Sequence, residues 1–183
     1  MQKGSLRQLY VDELRNLYSA EIQMVKALPI LAKAASNVEL REAYEEHLRQ
    51  TSDQISRLEE IFKTLEEKPS GRKCLGMGGL VKESAETMEQ PYENGVMDIA
   101  LIGVAQRIEH FEIAGYGALR MFANLLGENE HVSLIEQTFQ EEKQTDGKLS
   151  ELAERINLQA AQEREVSVPD HPGERKSKSS QAA

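Results

Sequence analysis

The chain has 183 residues, enough for one domain with a sizeable core. Its net charge of −9 and the lack of any Trp argue against the basic, aromatic-bearing face that a nucleic-acid backbone requires. A single cysteine, Cys74, rules out an intrachain disulfide framework and a Cys-rich zinc site. The first twenty residues lack the basic start, apolar run and small-residue cleavage site of a secretory signal. No stretch approaches the ~18 apolar residues that span a bilayer, so neither nucleic acid nor membrane is expected as a partner, and the expected location is the cytoplasm.

Ser5 can cap a first helix, predicted over about Leu6–Ala35, with Pro29 expected to kink it because a mid-helix proline removes one backbone hydrogen bond. Its apolar stripe, Leu14, Leu17, Met24 and Leu28, carries Glu21 at its centre. Ser36-Asn37 breaks the pattern. A second helix follows over about Val38–Glu67, and its inward face turns polar in the middle at His47, Gln50, Thr51 and Gln54. Residues 68–79 are Gly/Pro-rich, and only a short amphipathic helix is predicted beyond them, from Leu80 to about Gln90. This stretch is long enough to carry the chain from one end of a bundle to the other.

A third helix is predicted over about Val96–Leu126. Its stripe of Ile102, Ala105, Tyr116 and Leu119 includes Glu109 and Glu112. Gly115 and Gly117 inside it each cost roughly 1 kcal/mol against alanine, which suggests a close helix approach. Gly127 closes the helix and Glu128–His131 makes a turn, which places His131 away from any ligand set. The fourth helix, about Val132–Ala161, has the stripe Ile135, Thr138, Leu149, Leu152 and Ile156, with Glu142 at its centre and Asp146 one turn on. The fold expected is all-α: a four-helix bundle of two antiparallel hairpins joined by a long crossover, over 1–162, followed by a disordered polar tail over 163–183.

Three helices thus bring an acid to the middle of an apolar face. A buried carboxylate needs a partner, and a metal between the helices is the simplest one. The bland alternative is that Glu109, Glu112 and Glu142 lie on slightly misphased helices and pair with Arg107, Lys143 or Arg120. Helix rise permits a test of level. Glu21 to Gln54 and Glu109 to Glu142 are both 33 residues apart, which sets the two hairpins in one register. A site displaced toward the first turn would gather Glu21, His47, Gln50, Glu109, Glu142 and Asp146, with Glu112 at its lower edge.

These residues fall in longer runs: Tyr18-Ser-Ala-Glu21, His47-Leu48 with Thr51, Gln54-Ile55, Lys73-Cys74, Gly79-Leu80, Glu109-His-Phe-Glu112 with Tyr116-Gly117, and Glu141-Glu-Lys143 with Asp146. In that order the chain resembles the YciE/YciF family of ferritin-like bacterial stress proteins, over about residues 6–157. The resemblance implies a ferritin-like four-helix bundle, a homodimer, a carboxylate-rich metal site and a link to general or osmotic stress. It supplies no settled reaction. Two departures stand out. The Glu-x-x-His pattern of di-iron bundles is replaced by Gln54-x-x-Arg57 and Glu142-x-x-Thr145, and Gln50 stands where the family's run suggests a glutamate.

Two functions follow. The first is a ferritin-like stress protein whose metal site holds iron or manganese, as a di-metal centre or a reduced one, in oxidant handling or metal binding. The second is a non-enzymatic homodimer that binds a protein partner and keeps only a degenerate site.

Overall fold

The structure, a computed structural model, describes residues 4–71 and 73–166, with no side chain described at position 94 or beyond 156. It has five helices among the described residues: α1 (Leu6–Ala34), α2 (Val38–Thr64), α3 (Leu75–Met88), α4 (Asn94–Leu126) and α5 (Asn129–Val166). The four long ones form the bundle. The tail expected from residue 163 is helical to Val166, and the rest of it lies outside the described residues.

Local chemistry sets the ends. The Ser5 hydroxyl accepts from the Gln8 amide and the Asn37 side chain accepts from the Leu40 amide, so each supplies a partner to an orphan N–H of a first helical turn. Gly127 ends α4 at φ 75°, a left-handed position that glycine takes without a Cβ penalty. Pro29 lies on the exposed face of α1, which continues through it as one helix to Ala34.

Cross-helix contacts give the directions. Ser36 meets Asp98 and Glu21 meets Tyr116, so α1 and α4 are antiparallel. Glu39 meets Arg155, Gln54 meets Glu142 and Thr64 meets His131, so α2 and α5 are antiparallel. α2 therefore ends at the opposite end of the bundle from where α4 begins, and the connection must run its length. α3, about 21 Å long at the usual helical rise, spans most of it, packed on α1 and α4.

α3 begins at Leu75, five residues earlier than the glycine-rich composition predicts. Packing overrides propensity there. Met77 is fully buried, and the Cys74 sulfur accepts from the Met77 amide as a cap. At Gly76 a Cβ would stand 2.5 Å from the Phe111 ring, so at this close approach of α3 to α4 any other residue would force the ring to shift. Gly115 has the same role in the bundle, with a Cβ there meeting Leu17 at 2.7 Å, whereas a Cβ at Gly117 would make only ordinary contact with Phe139. The second correction is at α5, which starts at Asn129, so His131 belongs to a helix and is buried rather than sitting in a turn.

The core divides into two apolar clusters. Met24, Leu28, Leu31, Leu40, Ile102 and Leu152 belong to one; Tyr10, Leu14, Phe62, Leu119 and Ile135 belong to the other. Between them lies a buried polar layer: Glu21, His47, Thr51, Gln54, Glu109, Glu112, Thr138 and Glu142. No described helix is long and apolar enough to cross a membrane.

Candidate metal centre

Each long helix contributes to the polar layer at its mid-length, and each contributor sits on the same stripe as the apolar residues above and below it. Burial of these carboxylates is thus the direct result of helical periodicity. His47 from α2, Glu109 and Glu112 from α4, and Glu142 from α5 each offer a ligand atom, and the four atoms all lie within 4.8 Å of one another. Their exposures are 3%, 2%, 1% and 0%. The His47 Nε2 is 3.4 Å from Glu109 Oε1 and 3.9 Å from Glu142 Oε2. Glu21, fully buried on α1, completes the layer and accepts a short hydrogen bond from the Tyr116 hydroxyl.

The layer is poor in partners. Glu112 has neither oxygen hydrogen-bonded, His47 has neither ring nitrogen hydrogen-bonded, and one oxygen each of Glu21, Glu109 and Glu142 is also orphaned. Buried polar groups are normally satisfied, so this concentration of bare donors in one place calls for a ligand that accepts lone pairs. The cations of the bland alternative are engaged elsewhere: Arg107 with Glu83, Arg120 with Glu136, and Lys143 over the Phe139 ring. Among the described residues the only ion-pair partner of Glu109 and Glu142 is His47.

Burial drives the electrostatics. It pushes the Glu21, Glu109 and Glu112 carboxyls well above the usual carboxylate range, and neighbouring carboxylates push them further: Glu142 for the first two, Glu21 for the third. The Tyr116 hydrogen bond opposes this at Glu21. Tyr116 and Tyr44 are themselves pushed up, first by burial and then by Glu21 and Glu109 respectively, so both phenols stay protonated. A divalent cation would relieve the mutual repulsion that protons now offset.

The other candidates fall around this group. The half-buried Gln50 amide oxygen accepts from Thr145 at 3.4 Å. Asp146 is also half-buried, with Gln106 at 3.5 Å and His110 at 3.8 Å, and is outside the four-residue group. Gln54 is fully buried and donates to Glu142. Arg57 forks onto Glu141, with both N···O distances 2.7 Å, and also donates to Thr138 of the layer, from where its charge acts on Glu21 to lower its pKa. In the sequence Tyr116 stands out only as a member of the apolar stripe. Tyr116 lies seven residues after Glu109, two helical turns on, and that spacing was the available signal for its contact with the layer.

A ferritin-like bundle with a buried histidine–carboxylate cluster is the class that the fold and the site define. The match to known proteins is of the same kind. The model of the domain of unknown function DUF892 matches residues 5–162. Protein YciF of Escherichia coli (strain K12) is 40% identical over 154 residues, covering 84% of this chain and 93% of YciF. The crystal structure of the E. coli stress protein YciF superposes with a TM-score of 0.81 at 39% identity, covering 84% of this chain and 97% of that one. YcfI from Rhodopseudomonas palustris gives a TM-score of 0.78 at 38% identity, covering 82% of this chain and 97% of that one. The chain belongs to the DUF892 family.

Proposed function

We propose that this protein is a metal-binding stress protein of the YciF type, in which His47, Glu109, Glu112 and Glu142 hold iron or manganese. The observation that carries the reading is the group itself: four ligand atoms within 4.8 Å, all buried, and six side-chain atoms without a hydrogen-bond partner, both oxygens of Glu112, both ring nitrogens of His47 and one oxygen each of Glu109 and Glu142. Carboxylate oxygens with one imidazole suit iron or manganese better than soft, thiophilic ions. Gln54 and Arg57 stand where a di-iron bundle would place Glu and His on α2, so we assign one ion per chain, with Glu21 left on Tyr116. The bound ion would supply one-electron chemistry toward a small oxidant, or simple sequestration. The protein's part is to hold the donors at fixed spacing. The relatives' stress role, a homodimeric state and a cytoplasmic location belong to the same proposal.

The double variant Glu109→Ala/Glu142→Ala tests it. Full-length protein reconstituted with iron(II) or manganese(II) is expected to retain metal through desalting, and the variant to lose it. Equal metal content in the two would sink the reading. The second reading, a partner-binding bundle with a degenerate site, draws on the Gln54 amide that already engages Glu142. It predicts that wild type also fails to retain either metal.

A further inference from the structure

A cavity of about 150 Å³ opens between α2 and α5 and reaches the polar layer from the side. His47 and Glu109 line it together with Ala43, Tyr44 and Leu149 of the first apolar cluster, so it leads along the edge of that cluster to two of the four donors. Tyr44 lines it as well, and the Tyr44 hydroxyl is buried with no hydrogen-bond partner. A buried phenol is normally satisfied, and here the unmet group lies beside open space. The volume corresponds to roughly five waters at liquid density, ample for a molecule of two to four atoms. The charged side chains along it are Glu46 and Lys148, one of each sign, so the passage carries no net charge to draw in a cation.

We infer that this cavity is the entry passage for a small, neutral, hydrogen-bonding molecule, of the size of dioxygen or hydrogen peroxide, to the donor group at His47 and Glu109. The inference rests on the metal-centre reading and adds to it which side of the bundle the reacting molecule uses. The Tyr44 hydroxyl, which has no partner in the protein, is available to donate to such a molecule.

Two substitutions narrow the passage without touching a donor. Gln144 is exposed on α5 and lines the mouth, so Gln144→Trp caps it; Ala43 is buried on α2 and lines the interior, so Ala43→Leu fills it. Ser133→Trp, at an exposed position about three turns before Gln144 on the same helix, is the control. Each full-length protein is loaded with iron(II) without oxygen, its iron content measured, and then mixed with nitric oxide, a neutral two-atom probe, in a stopped-flow spectrometer. The expected result is unchanged iron content in all four proteins, with the optical change on nitric oxide addition at least tenfold slower in Gln144→Trp and Ala43→Leu and within twofold of wild type in Ser133→Trp. Equal rates in all four would overturn the passage while leaving the metal centre standing. Slower iron uptake in the two narrowed variants, with nitric oxide rates unchanged, would make the cavity an ion entrance and likewise overturn it. Failure of wild type to take up iron would remove the metal centre and this inference together.

Discussion

Two kinds of buried polar group coexist in this bundle, and they are built in opposite ways. At the α1–α2 turn, Asp98 reaches across from α4. It accepts from the Ser36 amide at 2.8 Å, from the Asn37 amide at 2.9 Å and from the Ser36 hydroxyl. At the other end, His131 joins Tyr10 through Nδ1 at 3.1 Å and Thr64 through Nε2 at 2.6 Å. Both act as staples, in which every polar atom has a partner and three helices are pinned. The layer between them has the same burial but not the same satisfaction. Glu112 and His47 meet no hydrogen-bond partner at all. Burial alone does not separate structural polar groups from candidate functional ones; the count of met and unmet lone pairs does.

If that contrast is sound, deleting groups from the two kinds of site should move stability in opposite directions. The largest effect is expected at the staple. Asp98→Ala strands two part-buried backbone N–H groups and a hydroxyl, and should cost about 3 kcal/mol, or about 6–12 °C in Tm, while leaving metal content unchanged. In the layer the sign reverses. Glu112→Leu removes a desolvated, mutually repelled carboxyl from the metal-free protein, and should raise its stability by about 1–3 kcal/mol in urea unfolding. The same substitution should abolish the stabilisation that added iron(II) or manganese(II) gives wild type, expected to reach about 2.7 kcal/mol at a hundredfold excess over Kd. A Glu112→Leu variant less stable than wild type without metal would break the contrast.

pH sharpens it further. Folded, metal-free protein holds protons on Glu21, Glu109 and Glu112 that the unfolded chain releases near pH 4.5. A raised folded pKa contributes stability that is complete below that pH and is lost as pH rises through the folded values. Metal-free wild type should therefore lose stability relative to Glu112→Leu between pH 5 and 8, read as a widening gap in urea midpoints. Metal affinity should run the other way and rise with pH, because binding displaces those protons. The smallest effect is expected at the second staple, where Tyr10→Phe leaves His131 Nδ1 unpaired and should cost about 1 kcal/mol at neutral pH.

Much of this was legible before any coordinates. The stripes Leu14–Leu28 and Ile135–Ile156 carry the helical period clearly, and the helix pairs, the crossover and the left-handed Gly127 follow from them. The equal 33-residue intervals put Gln54 and Glu142 at one level, and they are in contact. What the sequence could not convey is contact that depends on another helix. The start of α3 at Leu75 brings position 76 close against Phe111 of α4, where a Cβ would force the ring to shift, a fact of packing that composition does not show. The Asp98 staple joins residues 62 apart with no periodic signal. His131 read as a turn residue because its burial depends on Tyr10 and Thr64. Asp146, one turn beyond Glu142, is near Gln106 and His110 and still acts on Glu109, a placement that a stripe wide by about a residue does not resolve.

The central claim is that the unmet lone pairs of the layer belong to a metal ion. Elemental analysis of the full-length protein, purified without chelator and again after reconstitution with iron(II) and manganese(II), tests it most directly. The account predicts about one ion per chain, retained through desalting in wild type. A ratio near zero that stays there after reconstitution would contradict it.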